Sequence, residues 1–242
     1  MTKMLASISN IEEARCILGA GVDIIDVKDP DKGVLGAVAT DVVSKIVTIV
    51  GGQAQTSATI GDVPADTSSI AGGITAMRAT GVDIIKVGIF AGTLPDEVLN
   101  VIQQSTQTGQ RIVLVFFADF QLLDIDFRAL AAAGIHGVML DTANKNYGSL
   151  RTIMNDEALS DFVREARCAG LLTGLAGSLR QKDIAPLLAL DPDYLGFRGA
   201  LCDGQQRNGT IDFNAVRSIR ALIPVPEFDE WKGQELKLYM HS

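Results

Sequence analysis

The sequence predicts an α/β protein built as a single (β/α)8 barrel, the TIM-barrel architecture, with a short C-terminal extension. Short apolar, β-branched runs alternate eight times with longer segments whose apolar residues recur every three or four positions. Several of the short runs are almost continuously apolar, as expected for parallel strands buried on both faces. Eight such pairs in 242 residues leave about 30 residues per unit, the size of a βα repeat.

Eight strands are predicted, at 4–9, 22–27, 55–60, 82–88, 112–117, 136–141, 171–176 and 193–198. Glycines stand between helices and the strands that follow, at the position where a left-handed residue often ends a helix. Two of them, Gly21 and Gly81, open the repeated pentapeptide GVDII at 21–25 and 81–85, a spacing of two βα units that is consistent with internal repetition. A doubly wound sheet would need a GxGxxG loop after the first strand, and SISNIEEA has none.

We expect the barrel to occupy residues 1–223, with residues 224–242 as a separate tail. The tail holds the single tryptophan, Trp231, together with Phe228 and Tyr239. It is either a surface tail or an arm that contacts a neighbouring subunit, because exposed aromatic side chains often mark an interface. We expect a homo-oligomer.

Composition excludes several classes of partner. The net charge of −8 argues against nucleic-acid binding and against an anionic membrane surface. No apolar stretch reaches the ~18 residues that a membrane span needs, and no signal peptide is apparent. Three widely spaced cysteines and two histidines predict neither a disulfide framework nor a metal site, so a cytoplasmic protein without a metal is expected.

Charged residues gather at the carboxyl ends of alternate predicted strands. Asp26 and Lys28 end the second strand, Lys86 occupies the position in the fourth strand that Asp26 has in the second, and Asp141 and Lys145 follow the sixth. Side chains from alternate barrel strands share a layer, so these five groups are expected to converge where barrels carry their active sites. By contrast, we interpret Asp23 and Asp83 as strand-start residues at the opposite face.

A cluster of three lysines and two aspartates has a chemical consequence. Each charge alone is more readily explained as a loop cap or a salt bridge, but Lys and Asp are rarely buried unless paired. Desolvation and mutual repulsion would lower the pKa of at least one lysine. A neutral lysine amine can form a Schiff base with an aldehyde or ketone, while a second lysine serves as general base and the carboxylates orient both.

The loops after strands seven and eight predict a phosphate site. This is where barrels commonly bind phosphate, through backbone N–H groups and a helix N-terminus. The candidate residues are Gly177, Ser178, Arg198, Gly199 and Ala200, with Arg198 as the charged group. Two further carboxylates, Asp62 and Asp119, either line the mouth of the barrel or cap the following helix.

In this order, the segments DIIDVKDP, GVLGA, SATIGDVP, DIIKVG, MLDTANK, LAGS and GFRGALCDGQQRNGTID resemble the (5-formylfuran-3-yl)methyl phosphate synthase family, over roughly residues 4–222. The resemblance implies a (β/α)8 lyase of methanofuran biosynthesis, known in methanogens and methylotrophs, that condenses two molecules of glyceraldehyde 3-phosphate. It implies that Lys28 is the Schiff-base lysine, that Lys86 accepts a proton, and that Asp26, Asp141 and Lys145 support acid–base steps. No cofactor is expected, because the imine is already an electron sink.

Two alternatives remain at this stage. A class I aldolase of the deoxyribose-phosphate type is also an imine-forming barrel, and it would release neither phosphate nor a furan. A non-catalytic sugar-phosphate sensor on a barrel scaffold would bind ligand without turnover, and its binding would survive Lys86→Ala.

Overall fold

The computed structural model describes residues 1–90, 94–120, 125–144 and 147–224. Within these ranges eight parallel strands close into one barrel in chain order, and β8 pairs with β1. The strands are β1 (Lys3–Ile8), β2 (Ile24–Val27), β3 (Gln55–Thr59), β4 (Ile84–Ile89), β5 (Arg111–Phe117), β6 (Gly137–Asp141), β7 (Leu172–Leu175) and β8 (Tyr194–Phe197). The predicted barrel is confirmed, and each observed strand overlaps its predicted run.

Helices follow the strands and cover the outside of the barrel. They are α1 (Ile11–Ile17), α2 (Thr40–Val50), α3 (Thr67–Arg78), α4 (Asp96–Gln107), α5 (Phe127–Ala132), α6 (Leu150–Ile153), α7 (Asp156–Cys168), α8 (Gln181–Leu188) and α9 (Phe213–Arg220). The sixth unit contains two helices, because the short α6 precedes α7. After β8 the chain makes two 3₁₀ turns, Gly199–Leu201 and Asp203–Gln205, before it enters α9.

Strand alternation divides the core into two parts. In β2, Ile24 belongs to the cluster inside the barrel, whereas Ile25 and Val27 pack outwards under the helices. Asp26 follows the inward phase of Ile24, and its flanking partners in register are Ser7 on β1 and Ser57 on β3. The same period of two that fills the barrel with apolar side chains therefore aims Asp26 into its interior.

The repeated GVDII segment has the same structural role both times. Gly21 and Gly81 have φ values of 78° and 79°, a left-handed conformation that a glycine adopts without a steric penalty. Asp23 and Asp83 each accept a hydrogen bond from a backbone N–H group at the start of the preceding strand, at 2.7 and 2.8 Å. Both aspartates thus lie at the face opposite the carboxyl ends of the strands, as the sequence indicated.

The predicted tail at 224–242 lies outside the described residues except for Pro224. Its role and the expected homo-oligomer therefore stay predictions. In the part of the chain that the structure describes, no helix is both long and apolar enough to cross a membrane.

Candidate active site

The centre of the site is a buried ion pair between strands β2 and β4. Nζ of Lys86 lies 2.5 Å from Oδ1 of Asp26, and the two side chains are 2% and 0% exposed. The hydroxyl groups of Ser7 and Ser57 also donate to Asp26, at 2.9 and 2.6 Å. Both serines escaped the sequence analysis, although strand alternation places them beside Asp26 on the same inner face. The buried carboxylate therefore has three donors.

These contacts determine the ionisation of Asp26. Burial raises the pKa of its carboxyl group, but the ammonium groups of Lys86 and Lys28, with the hydrogen bonds from Lys86 and Ser57, outweigh burial and hold that pKa below 3.8. Asp26 is thus a carboxylate at neutral pH. As an anion it can orient the amine of Lys86 and receive hydrogen bonds, but it has no proton to donate.

Lys86 experiences the opposite balance. Burial lowers its pKa, the Asp26 carboxylate raises it, and the positive charge of Lys28 lowers it again. The net effect is that the pKa of Lys86 lies below 10.5. A buried amine with a lowered pKa is suited to accept a proton from a substrate. The sequence-based expectation that at least one lysine in the cluster has a lowered pKa agrees with this direction.

A second pair joins Lys28, just beyond the end of β2, to Asp141 at the end of β6. Nζ of Lys28 lies 3.5 Å from Oδ2 of Asp141, and the side chains are 12% and 3% exposed. The other carboxylate oxygen of Asp141 accepts the backbone N–H of Thr142 at 2.7 Å. Strands two, four and six thus bring Asp26, Lys28, Lys86 and Asp141 together, and we call these four residues the lysine–aspartate cluster.

Two further carboxylates hold loops around the cluster. Asp62 accepts backbone N–H groups of residues 34–35, at 2.8 Å each, and so fixes the loop after β2. Asp119 accepts those of residues 143–144, at 2.7 and 2.5 Å. Lys145, the fifth predicted member of the cluster, lies outside the described residues, but Asp119 anchors the backbone directly before it. Neither aspartate caps the helix that follows it.

A cavity of about 790 Å³ lies at the carboxyl ends of the strands. Ser7, Lys28 and Asp141 line it, whereas Asp26 and Lys86 are buried and are not among its described lining residues. Its volume falls in the range of natural small-molecule sites. Of Lys28 and Lys86, a ligand in this cavity would therefore contact Lys28.

The predicted phosphate loops form one wall of this cavity. Gly177, Ser178 and Gly199 line it, and the first two have positive φ values of 107° and 49°. A Cβ at Gly177 would lie 2.7 Å from a methyl carbon of Thr142, so only glycine fits there. Ala200 is not among the described lining residues and packs against the outer core instead.

Arg198 has a different environment from the one predicted. Its guanidinium makes a bidentate pair with Glu13, at 2.6 and 3.0 Å, and its remaining N–H groups donate to the carbonyl groups of Ser7, Arg207 and Gly209. All five N–H groups are used, so none remains for a phosphate. Arg198 lines the cavity, as expected, and its role as the charged phosphate ligand stays a prediction that these contacts do not support. The prediction missed Glu13, because α1 and β8 are far apart in the sequence.

A closed (β/α)8 barrel with paired ionisable groups beneath a cavity at the carboxyl ends of its strands has the arrangement of a barrel enzyme. The chain can be placed more narrowly. It belongs to the 4-HFC-P synthase family, whose model matches residues 4–220.

Curated relatives agree with this assignment. A relative from Methylorubrum extorquens is 41% identical over 223 residues, which cover 90% of this chain and 92% of the relative. The (5-formylfuran-3-yl)methyl phosphate synthase of Methanothermobacter thermautotrophicus is 34% identical over 232 residues, covering 91% and 98%. The family resemblance inferred from the motifs is therefore confirmed.

Solved structures agree on the fold. A 3-hexulose-6-phosphate synthase structure matches with a TM-score of 0.65 at 15% identity, covering 92% of this chain and 100% of the other. The phosphoribosyl anthranilate isomerase of Thermus thermophilus matches with a TM-score of 0.64 at 14% identity, covering 92% and 98%. At such identities the likeness supports the barrel and not a shared activity.

Proposed function

We propose that this protein is a carbon–oxygen lyase that condenses two molecules of glyceraldehyde 3-phosphate into (5-formylfuran-3-yl)methyl phosphate, in methanofuran biosynthesis. One phosphate and two water molecules leave in the overall reaction. The carrying observation is the lysine–aspartate cluster, in which a buried Lys86–Asp26 pair adjoins a cavity-facing Lys28–Asp141 pair. The reaction needs one lysine to form the imine and another to transfer a proton, and the two pairs provide one lysine for each step.

Lys28 is the Schiff-base lysine in this proposal because it is the lysine of the cluster that lines the cavity. Its Nζ attacks the aldehyde carbon of one triose, and water leaves as the imine forms. Asp141, 3.5 Å from Nζ, supplies the negative charge that orients the amine and balances the protonated imine. The wall containing Gly177, Ser178 and Gly199 supports the phosphate end of a triose.

Lys86 takes the proton from the carbon next to the imine. Its lowered pKa favours the neutral amine that this step needs, and the Asp26 carboxylate stabilises the ammonium that results. The electron pair of the broken C–H bond is delocalised onto the imine nitrogen. Elimination of phosphate, aldol joining, ring closure and dehydration follow, and hydrolysis of the imine releases the aldehyde product and restores the Lys28 amine. Asp141 and Lys145 move protons in these steps, and the Asp26 carboxylate takes part by first accepting a proton and then returning it.

Borohydride trapping tests the imine. Reduction in the presence of glyceraldehyde 3-phosphate, followed by peptide mass spectrometry, should locate a stable adduct on Lys28. Lys28→Arg should abolish the adduct, and Lys32→Ala, an exposed lysine in the same loop, should leave it unchanged. An adduct on another lysine, or an active enzyme without an adduct, would remove the assignment. Phosphate release and furan absorbance separate this reaction from that of a simple aldolase, and a sugar-phosphate sensor would show neither turnover nor an adduct.

A further inference from the structure

Three cations that line the mouth of the cavity have no acidic partner in the part of the chain that the structure describes. They are Arg180 and Lys182 at the start of α8, and Arg207 in the loop after β8. None of them forms an ion pair with any described residue, although the chain as a whole carries 29 acidic residues against 21 basic ones. We call these three residues the rim cluster. Unpaired positive charge around one concave opening, in a protein with an acidic total, indicates an anionic ligand.

Their hydrogen bonds leave donors available. One N–H of Arg180 donates to the carbonyl of Gln205 at 2.9 Å, and one nitrogen of Arg207 donates to the carbonyls of Pro30 and Gly33 at 2.9 and 3.0 Å. The remaining N–H groups of both guanidinium groups, and all three of Lys182, have no partner among the described residues. This is the opposite of Arg198, whose donors are all used inside the protein.

The carbonyl contacts also hold the two arginines in place. Arg180 is tied to the loop after β8 by its hydrogen bond to the carbonyl of Gln205. Arg207 joins that loop to the loop after β2, which carries Lys28. Fixed guanidinium groups lose little entropy when they bind a phosphate. Lys182 is exposed at the opening and adds a mobile charge.

We propose that the rim cluster forms a second phosphate subsite next to the backbone site at Gly177 and Ser178. Its ligand is the dianion of a phosphate monoester or inorganic phosphate. This assignment rests on the proposed function, in which two phosphorylated trioses bring two phosphate dianions into one cavity. The backbone N–H groups of one wall do not fully neutralise either phosphate dianion. The guanidinium and ammonium groups of the rim cluster carry the positive charge that compensates them. The cavity of about 790 Å³ has room for both substrates.

The subsite can be tested without catalysis, with glycerol 3-phosphate as the probe. This phosphate monoester lacks a carbonyl and forms no imine, so its binding does not depend on the furan chemistry. Equilibrium dialysis at saturation should give two molecules per wild-type chain. Arg180→Ala/Lys182→Ala should bind one, and so should Lys182→Glu, whose site is exposed and whose folding is not at risk. Lys45→Ala, an exposed lysine on α2, should still bind two.

The outcomes separate the two proposals. One molecule per wild-type chain, two per variant chain, or none in the variants would each overturn the second subsite. If the protein binds two molecules but makes no furan, the second subsite is supported and the proposed function is contradicted. Salt provides a second readout, because binding at the exposed rim should weaken more steeply between low and high ionic strength than binding at the backbone wall. In Lys182→Glu that steeper phase should disappear.

Discussion

The Nζ atom of Lys86 lies 2.5 Å from Oδ1 of Asp26, and both side chains are removed from solvent. Charges buried in this way gain from their mutual attraction but lose their hydration, so the pair contributes little to stability as a unit. Breaking the pair is different, because the remaining charge is left buried without a partner. The pair therefore acts chiefly on the protonation and orientation of the amine.

The first prediction separates stability from chemistry at this pair. Lys86→Met should lower the free energy of unfolding by about 3–5 kcal/mol, because it leaves the Asp26 carboxylate buried and uncompensated. The double variant Asp26→Asn/Lys86→Met should recover most of that loss, since an amide can still bond to Ser7 and Ser57, yet stay inactive. Urea denaturation measures the first effect and furan formation the second. Equal stability of the single and double variants would contradict the buried-pair interpretation.

The second prediction concerns pH. If Lys86 accepts a proton as the neutral amine, kcat/KM should fall tenfold per pH unit below the pKa of Lys86, which lies below 10.5. The Asp26 carboxylate raises that pKa, so Asp26→Asn should move this acid limb to lower pH. Asp41→Asn on α2 is the matched control and should leave the limb in place. An unmoved limb in Asp26→Asn would assign the titration to another group.

The third prediction concerns the pair of Glu13 and Arg198. Glu13→Gln should destabilise the protein by about 3–5 kcal/mol, because Arg198 loses a buried bidentate partner. Since Arg198 also bonds to the carbonyls of Arg207 and Gly209, the loop after β8 should loosen, and KM for glyceraldehyde 3-phosphate should rise more than kcat falls. The neighbouring exposed residue provides the control, Glu12→Gln, which should change neither quantity. A normal KM in Glu13→Gln would show that the pair has only a structural role.

The fourth prediction tests the backbone wall. In Gly177→Ala the new methyl group would lie 2.7 Å from Thr142, and the left-handed φ would add strain, so the loop after β7 must shift. We expect KM for glyceraldehyde 3-phosphate to rise about tenfold, the equivalent of 1.4 kcal/mol of lost binding. Gly170→Ala is the matched control, since Gly170 has φ 84° and no atom within 4 Å of a Cβ. It should lose stability and keep its KM.

The fold could be predicted because each signal for it is local. Apolar alternation decides which side of a strand faces the barrel, so Asp26, Lys28 and Lys86 could be assigned to the inner face from their positions relative to Ile24. The glycine at the end of a helix and the aspartate after it, as in Gly21 and Asp23, likewise depend on a few neighbouring residues. For the same reason, the sequence alone could predict that the charged side chains of strands two, four and six lie close together.

Only the tertiary structure could decide which charges are paired. Arg198 follows a predicted phosphate loop, and nothing near it in sequence shows that Glu13, from the other end of the chain, uses its guanidinium. The same holds for Arg180 and Arg207, because only the folded structure shows that some of their donors have no partner among the described residues. The sequence by itself determined the barrel and the lysine–aspartate cluster, because these follow from strand period. The partners of each arginine depend on distances across the closed barrel, and only the folded chain sets those.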